Sequence, residues 1–226
     1  MKKLQFSDTE LKRIGVAVKD AEKETSGEIK VAFIRESNDY AKYELFFALI
    51  AGFISLGILM FFPDKIESFV RNMSWEYIPH YTSFVYGLFP FLMITIFYFI
   101  MNIPFFNRLI VPSIVMKRKV NERAIRYFAE SGVSNTRDRT GILIFLSFLE
   151  KRVELIADIG IGEKIPQERW DEIVENITEG IKSKKTVDNL IDSVKECGKI
   201  LSAVDKFPIK PDDKNELEDD VSVLES

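Results

Sequence analysis

The sequence contains only one cysteine and one histidine in 226 residues. A single cysteine cannot form an internal disulfide, so a disulfide-stapled scaffold is excluded. Covalent catalysis by cysteine or histidine needs an exposed nucleophile with a helper group beside it. Cys197 falls on an apolar helical stripe and His80 falls among aromatic residues, so neither is predicted to be a nucleophile.

Charged residues are missing from two long stretches, Leu45 to Phe62 and Tyr81 to Asn107, although the whole chain carries 31 basic and 35 acidic residues. This pattern excludes a wholly soluble protein. As a helix, the first stretch covers roughly 27 Å, close to the ~30 Å thickness of a bilayer's hydrocarbon core. Pro90 and Pro104 interrupt the second stretch and predict a kinked or tilted span.

We therefore predict a transmembrane hairpin over 45–106, with spans at about 45–62 and 83–103 and a short external loop over 63–82. Basic residues flank the hairpin on its two outer sides, whereas the loop carries only Lys65 and Arg71. This bias predicts a two-pass protein of the inner (plasma) membrane with both termini cytoplasmic. No apolar stretch follows the initial MKK closely, so we expect no cleavable signal peptide.

A group of bases follows the second span and is predicted to contact anionic lipid headgroups of the bilayer: Lys117, Arg118, Lys119 and Arg123. The alternative is that these residues only set the membrane topology. Neither reading involves nucleic acid, because the bases adjoin a span and no aromatic residues suited to base stacking are interleaved with them.

Before the hairpin, residues 1–36 read as one helix and one strand. Ser7 and Glu10 have the spacing of a capping box, and Gly27 is predicted to end the helix in the left-handed conformation. Residues 28–35 alternate as a strand, with Ile29, Val31 and Phe33 on one face. Such a small piece cannot bury enough apolar surface alone, so we expect it to pack against the part after the hairpin.

After the hairpin, residues 113–208 read as the main part of the folded domain. A basic helix is followed by two apolar runs, Gly141 to Ser147 and Arg152 to Asp158, which predict a β-hairpin. Two amphipathic helices follow, and Cys197 lies on the apolar stripe of the second, which favours core packing. From Pro211 onward seven acids face one base, so residues 209–226 are predicted to form an acidic disordered tail.

Four sequence segments in this second part resemble the TPM domain: TGILIFLS from Thr140, EKRVELIADIGI from Glu150, IPQERW from Ile165 and CGKIL from Cys197. That family includes thylakoid-lumen photosystem-repair proteins, an accessory subunit of acetylcholine receptors and many bacterial membrane proteins. The resemblance implies an α/β sandwich, a small sheet flanked by helices, here interrupted by the two-helix hairpin. Plant relatives are assigned acid phosphatase activity and bound calcium, but no catalytic motif can be matched residue by residue to this chain.

One end of the predicted sheet gathers charged residues. A β-hairpin centred between Leu149 and Glu150 places Asp158 opposite Gly141. Carboxylate oxygens of Asp138, Asp158 and Glu163 would then be placed to bind calcium or magnesium, or Arg137 and Arg139 to hold a phosphate. The alternative is a sheet end closed by ordinary salt bridges and a glycine turn.

Two functions follow as hypotheses. The first is a non-catalytic interaction module that assists the assembly, repair or regulation of a membrane protein complex, with another membrane protein as its partner. The second is a metal-dependent phosphatase using the three carboxylates. A pore or transporter is disfavoured because the two spans carry no charge.

Overall fold

The computed structural model describes residues 6–23, 25–73, 79–162, 164–202, 207 and 216–225. The chain divides into two compact units, one made of Met1–Asn38 with Ile114–Ser226 and the other of Asp39–Ser113. The first unit is therefore discontinuous in sequence, and the second is inserted into it.

The elements run in the following order: α1 (Asp8–Glu22), β1 (Glu28–Ile34), α2 (Ala41–Phe61), α3 (Pro63–Met73), α4 (Pro79–Met101), α5 (Pro104–Ile110), α6 (Ser113–Glu130), β2 (Gly141–Ser147), β3 (Arg152–Ala157), α7 (Ile159–Gly162), α8 (Gln167–Ser183), α9 (Thr186–Ser202) and β4 (Ser222–Leu224). A short 3₁₀ turn over Val133–Asn135 separates α6 from β2. The predicted capping box of α1 is present, with the Ser7 and Glu10 side chains each accepting from the other's backbone N–H.

The sheet has four strands in the order β3-β2-β1-β4. β1 pairs in parallel with β2, from Glu28 opposite Gly141 to Ile34 opposite Ser147. β2 and β3 form the predicted antiparallel hairpin, with Ile142 opposite Ala157. The strand before the inserted unit and the strand after it are thus direct neighbours, which confirms that the two parts of the chain pack together.

Alternating side chains of the sheet enter two apolar cores, as the period of a strand requires. Ile29, Val31 and Phe33 of β1 face the first core, which α1, α8 and α9 cover. Ala32 and Ile34 face the second core, which α6 covers. The result is an α/β sandwich, a small mixed sheet with helices on both faces, and the predicted fold class is confirmed.

The inserted unit contains α2 and α4, two helices long and apolar enough to cross a membrane. Gly52 of α2 lies so close to α4 that an added Cβ would be 2.4 Å from Ile94 Cγ1. The outward side chains of both helices are exposed, for example Phe53 at 73% and Phe91 at 69%. The predicted external loop begins with a further helix, α3.

Two sequence predictions are wrong. The stretch 209–226 is not a disordered tail throughout, because residues 222–224 form β4, which pairs in parallel with Ala32–Ile34. Its acidic composition hid the apolar Leu217, Val221 and Leu224, which pack against the cores. Gly27 is not left-handed; its close neighbour is Leu201, whose Cδ1 would lie 2.6 Å from an added Cβ.

Candidate functional site

The predicted charged end of the sheet forms as the hairpin register requires. The Asp158 amide donates to the Gly141 carbonyl at 2.9 Å. Gly160 packs so tightly that an added Cβ would lie 2.5 Å from the Arg139 carbonyl oxygen and 2.7 Å from that of Asp138. The approach to β2 and the turn after β3 therefore meet, as predicted.

The Asp158 carboxylate is already engaged within the chain. Its side chain is only 3% exposed, and Oδ1 accepts from the Ile159 amide at 2.7 Å. Oδ2 lies 3.1 Å from Arg139 Nε, an ion-pair distance without the angles of a hydrogen bond. Arg139 is held in place by donating from Nη1 to the Ser134 carbonyl at 2.8 Å. The arginine therefore supplies the positive charge that a metal ion would otherwise bring.

The described residues show no assembled calcium or magnesium site at this end of the sheet. Asp138 is exposed, Asp158 is paired with Arg139, and Glu163 lies outside the described residues. Within the described ranges, no three His, Cys, Asp or Glu side chains are grouped as metal ligands. The three-carboxylate site stays a prediction, and the salt-bridge alternative accounts for the contacts of Asp158.

A polar network that sequence reasoning missed closes the opposite end of the sheet. Ser147 is fully buried and its hydroxyl pairs with a Glu150 carboxylate oxygen. Ser37 donates from Oγ to Ser147 Oγ at 3.0 Å and from its amide to Glu150 Oε1 at 2.9 Å. The Leu149 amide adds a bond to the Arg35 carbonyl at 2.8 Å. These bonds fix the β2–β3 turn against the end of β1.

A second missed cluster places carboxylates together beside the start of β1. Glu22 Oε1 accepts from the Ile29 amide at 2.8 Å. Burial raises the pKa of the Glu22 carboxyl to about 8, and the nearby charges of Glu28 and Asp219 act in the same direction, against the hydrogen bond from Ile29. Glu22 therefore keeps its proton far above the pH at which an exposed glutamate loses it.

In the inserted unit, a third missed cluster joins α2 to the segment after α4. Glu44 is 3% exposed and accepts from the side-chain amides of Asn102 at 3.0 Å and Asn107 at 2.8 Å. Within the part of the chain that the structure describes, no basic side chain pairs with Glu44. Hydrogen bonds of this kind hold apolar helices together where lipid offers no competing partner. The position of Glu44 immediately before the uncharged stretch is a weak signal of this role.

The predicted lipid-contacting bases lie along α6. Lys117 and Arg118 are exposed, whereas Lys119 and Arg123 are half-buried. Glu122 lies 2.8 Å from Lys119 Nζ and 3.6 Å from Arg118 Nε. The hydrogen bond from Lys119 lowers the pKa of Glu122, and the neighbouring bases add to this. Part of the positive charge of this helix is thus neutralised on its own surface.

Cys197 is fully buried in the first core, and burial raises the pKa of its thiol to about 12. A thiol of this kind is neutral at ordinary pH and inert as a nucleophile. The prediction that Cys197 serves in packing is confirmed.

The NMR structure of the BA42 protein from the psychrophilic bacterium Bizionia argentinensis is similar, with a TM-score of 0.56, 20% identity, and coverage of 99% of this chain and 99% of that chain. At this level of sequence identity, the similarity supports a shared fold and nothing further. No curated protein sequence matches this chain. The family model of the TPM domain matches residues 108–200, which confirms that this part of the chain is similar to that domain.

Proposed function

We propose that this protein is a membrane-anchored TPM-domain module that binds another membrane protein and assists the assembly, repair or regulation of its complex, without catalysis. The observation that carries this proposal is the parallel pairing of β1 with β2 on either side of the inserted hairpin. A domain split in this way is fixed to the bilayer by two chain connections, so it works beside membrane proteins.

The exposed apolar faces of α2 and α4 support the anchor. An apolar surface of that extent would promote aggregation of a soluble protein, whereas it is the expected lipid-facing surface of a membrane-spanning helix. Because β1 and β2 share one sheet, the segments before and after the hairpin lie on the same side of any membrane that it spans. The distribution of bases favours the cytoplasmic side. We infer that the exposed bases Lys117 and Arg118 contact anionic headgroups on that side.

Single-cysteine labelling tests the anchor and its orientation. Lys12→Cys on α1, Lys182→Cys on α8 and Asp64→Cys at the loop are all at exposed positions. In cells whose outer layers have been removed but whose inner membrane is intact, a membrane-impermeant maleimide is expected to label the Asp64→Cys chain. The Lys12→Cys and Lys182→Cys chains are expected to react only after the membrane is opened.

Native Cys197 is the internal control, because its buried thiol should stay unlabelled throughout. Labelling of the Lys12→Cys and Lys182→Cys chains from opposite sides would contradict the split-domain anchor. Labelling of both chains from outside would show that the orientation is opposite to the proposed one. Release of the protein from membranes by alkaline carbonate would contradict a membrane-spanning hairpin.

The interaction function is tested by extracting the tagged chain, without detergent, in polymer-bounded bilayer discs. The mass and the protein content of the particles are then measured. We expect a defined second membrane protein in fixed ratio to this 26.1 kDa chain, absent from discs of an unrelated two-span protein. Recovery of the chain with lipid alone would contradict the proposal.

The same particles are expected to leave p-nitrophenyl phosphate intact with calcium or magnesium at acid and neutral pH. Turnover lost in the Asp138→Asn variant would instead favour the phosphatase implied by the TPM resemblance.

A further inference from the structure

The C-terminal segment, residues 216–225, covers the edge of β1 that faces away from β2. β1 pairs with β2 along its whole length, from Glu28 to Ile34. On the other edge, the described ladder with β4 covers only Ala32 to Ile34. Near the start of β1, the Ile29 amide donates to Glu22 Oε1 at 2.8 Å and not to a strand. The segment therefore uses only part of the pairing edge that β1 offers.

Three hydrogen bonds outside the ladder recognise the start of the segment. Glu28 Oε1 accepts from the Glu216 amide at 3.1 Å, and Lys30 donates from Nζ to the Glu218 carbonyl at 2.7 Å. The Arg137 amide donates to Glu216 Oε2 at 2.9 Å. Two of these bonds are made to main-chain atoms, which every peptide carries, and the third is made to an acidic side chain. This end of the edge therefore accepts an extended chain that begins with an acid.

Apolar side chains of the segment fill sites on both faces of the sheet. Leu217 and Leu224 pack on the second core, and Val221 packs on the first. Every described residue of the segment is exposed or half-buried, whereas β1 beneath it is buried along its whole length. The segment therefore lies on the surface of the folded unit, as a bound peptide lies in a groove.

The segment is also an interrupted strand. The contacts with Glu28 and Lys30 both join residues 188 positions apart in the chain, whereas the ladder with β4 joins residues 190 positions apart. Two extra residues thus lie in the segment between these contacts, and its backbone leaves the line of β1. At this point it meets α1, since a Cβ added to Gly15 would lie 3.3 Å from the Asp219 carbonyl oxygen. A peptide without the extra residues could pair with more of the edge.

We propose that the outer edge of β1 is a groove for an extended acidic and apolar segment of the partner protein, and that residues 216–225 are an internal occupant which this segment replaces. Strand addition takes its affinity from main-chain bonds and its specificity from side-chain sites. An uninterrupted strand gains ladder bonds beyond Ala32–Ile34, which favours the exchange. The groove rests on the contacts of the segment, whereas the assignment of its ligand to a membrane protein rests on the proposed function.

Uptake of a peptide in trans tests the groove in the full-length protein in detergent micelles. A protease site inserted immediately before Glu216, and cut after folding, leaves the segment held by its contacts alone. The probe is a fluorescent peptide with the sequence of residues 216–226. We expect saturable uptake by the cut chain and uptake at least about tenfold weaker by the uncut chain, whose tethered segment has a high effective concentration. A peptide of the same composition in scrambled order is the control and should not bind.

The buried Cys197 thiol reports whether the cut chain stays folded. A cut chain whose Cys197 stays unreactive but which takes up no peptide would overturn the groove. A cut chain whose Cys197 becomes reactive would also overturn it, because the segment would then be an integral part of the fold and not a replaceable occupant.

Variants of the chain and of the peptide locate the binding site. Lys30 is only 6% exposed, and Lys30→Met keeps much of its length but removes the ammonium that binds the Glu218 carbonyl. We expect uptake by the cut chain to fall by about tenfold or more, since a hydrogen bond from a charged donor is lost. Lys182→Met, at an exposed position on α8, is the matched control and should bind as the parent does. Equal uptake by the Lys30→Met and Lys182→Met chains would overturn the assignment to β1.

The same site is tested from the ligand side without any change to the folded chain. A peptide that carries Leu217→Asp and Leu224→Asp cannot fill the sites on the second core, so its uptake should be lost. Uptake equal to that of the unchanged peptide would overturn the groove.

The bilayer discs separate this inference from the proposed function. An excess of the peptide of residues 216–226 is expected to release the second membrane protein from the discs, whereas the scrambled peptide should not. A partner that is recovered but not released would overturn the groove as its binding site and leave the proposed function standing. Discs without a partner would contradict the proposed function, and peptide uptake by the cut chain would still decide whether the groove exists.

Discussion

Alanine in place of Gly141 is expected to destabilise the discontinuous unit strongly. The added Cβ would lie 2.1 Å from the Val133 carbonyl oxygen and 2.7 Å from Val133 Cγ1. Backbone cannot step aside as a flexible side chain can. Gly141 is also fixed on both sides, opposite Glu28 in β1 and bonded to the Asp158 amide. Overpacking typically costs about 1–3 kcal/mol, and we expect roughly 3 kcal/mol or more here.

The single buried thiol gives a direct measurement. Guanidinium unfolding of the full-length protein in micelles, with pulse labelling of Cys197, reports on the first core alone, because the chain has no other cysteine. Gly162→Ala is the matched control, since nothing lies within 4 Å of its added Cβ, and it should change stability by under about 0.5 kcal/mol. Equal midpoints for the two variants would show that the Val133 contact relaxes freely.

Raising the pH from 5 to 8 is expected to lower the free energy of unfolding through Glu22. Its pKa is about 8 in the folded chain against 4.5 for an ordinary glutamate. Across this interval the folded state holds a proton that the unfolded state has lost, so stability falls as pH rises. The stabilisation is fully present below pH 4.5 and is gone above pH 8. A shift of one pKa unit corresponds to about 1.4 kcal/mol, and for this half-buried group we expect a total loss of roughly 2–4 kcal/mol.

Chemical denaturation followed by near-ultraviolet circular dichroism at pH 5, 6.5 and 8 measures this loss. Glu22→Gln cannot ionise, so its stability should vary with pH much less than that of the parent chain and should exceed it at pH 8. Glu179→Gln, at an exposed position on α8, is the control and should follow the parent. Parallel pH profiles for Glu22→Gln and the parent chain would refute the assignment to Glu22.

Local patterns were sufficient to predict much of this fold. The capping box at Ser7 and Glu10 is contained within four residues, and the β2–β3 register follows from the centre of a short turn. The alternation of Ile29, Val31 and Phe33 predicted which face of β1 enters the first core. In each case the sequence signal and the interaction lie within one element or between adjacent elements.

The polar clusters could not be predicted because their members are far apart in the chain. Ser37 meets Ser147 across a separation of 110 residues, and Glu28 meets Glu216 across 188. Only the β1–β2 and β1–β4 pairings, which depend on the whole topology, bring them together. The C-terminal segment was misjudged for a related reason. From composition alone, the acidic residues of this segment are expected to repel one another and to prevent folding. The folded unit, however, provides Lys30, a protonated Glu22 and apolar sites, none of which enters a count of the segment's charges.

The adjacency of β1 and β2 also sets an order of events during synthesis. α1 and β1 leave the ribosome first, but their partners, α9 and β2, are translated only after the apolar hairpin. In the membrane-anchored protein that we propose, the nascent amino-terminal segment must therefore stay unpaired, with the EIKVAFI stretch exposed, until the hairpin has inserted. A chain whose hairpin inserted incompletely would leave that segment across the bilayer from β2. Under this proposal, completion of the sheet would act as a check on membrane insertion, and chains that fail it would present an unpaired strand to cellular quality control.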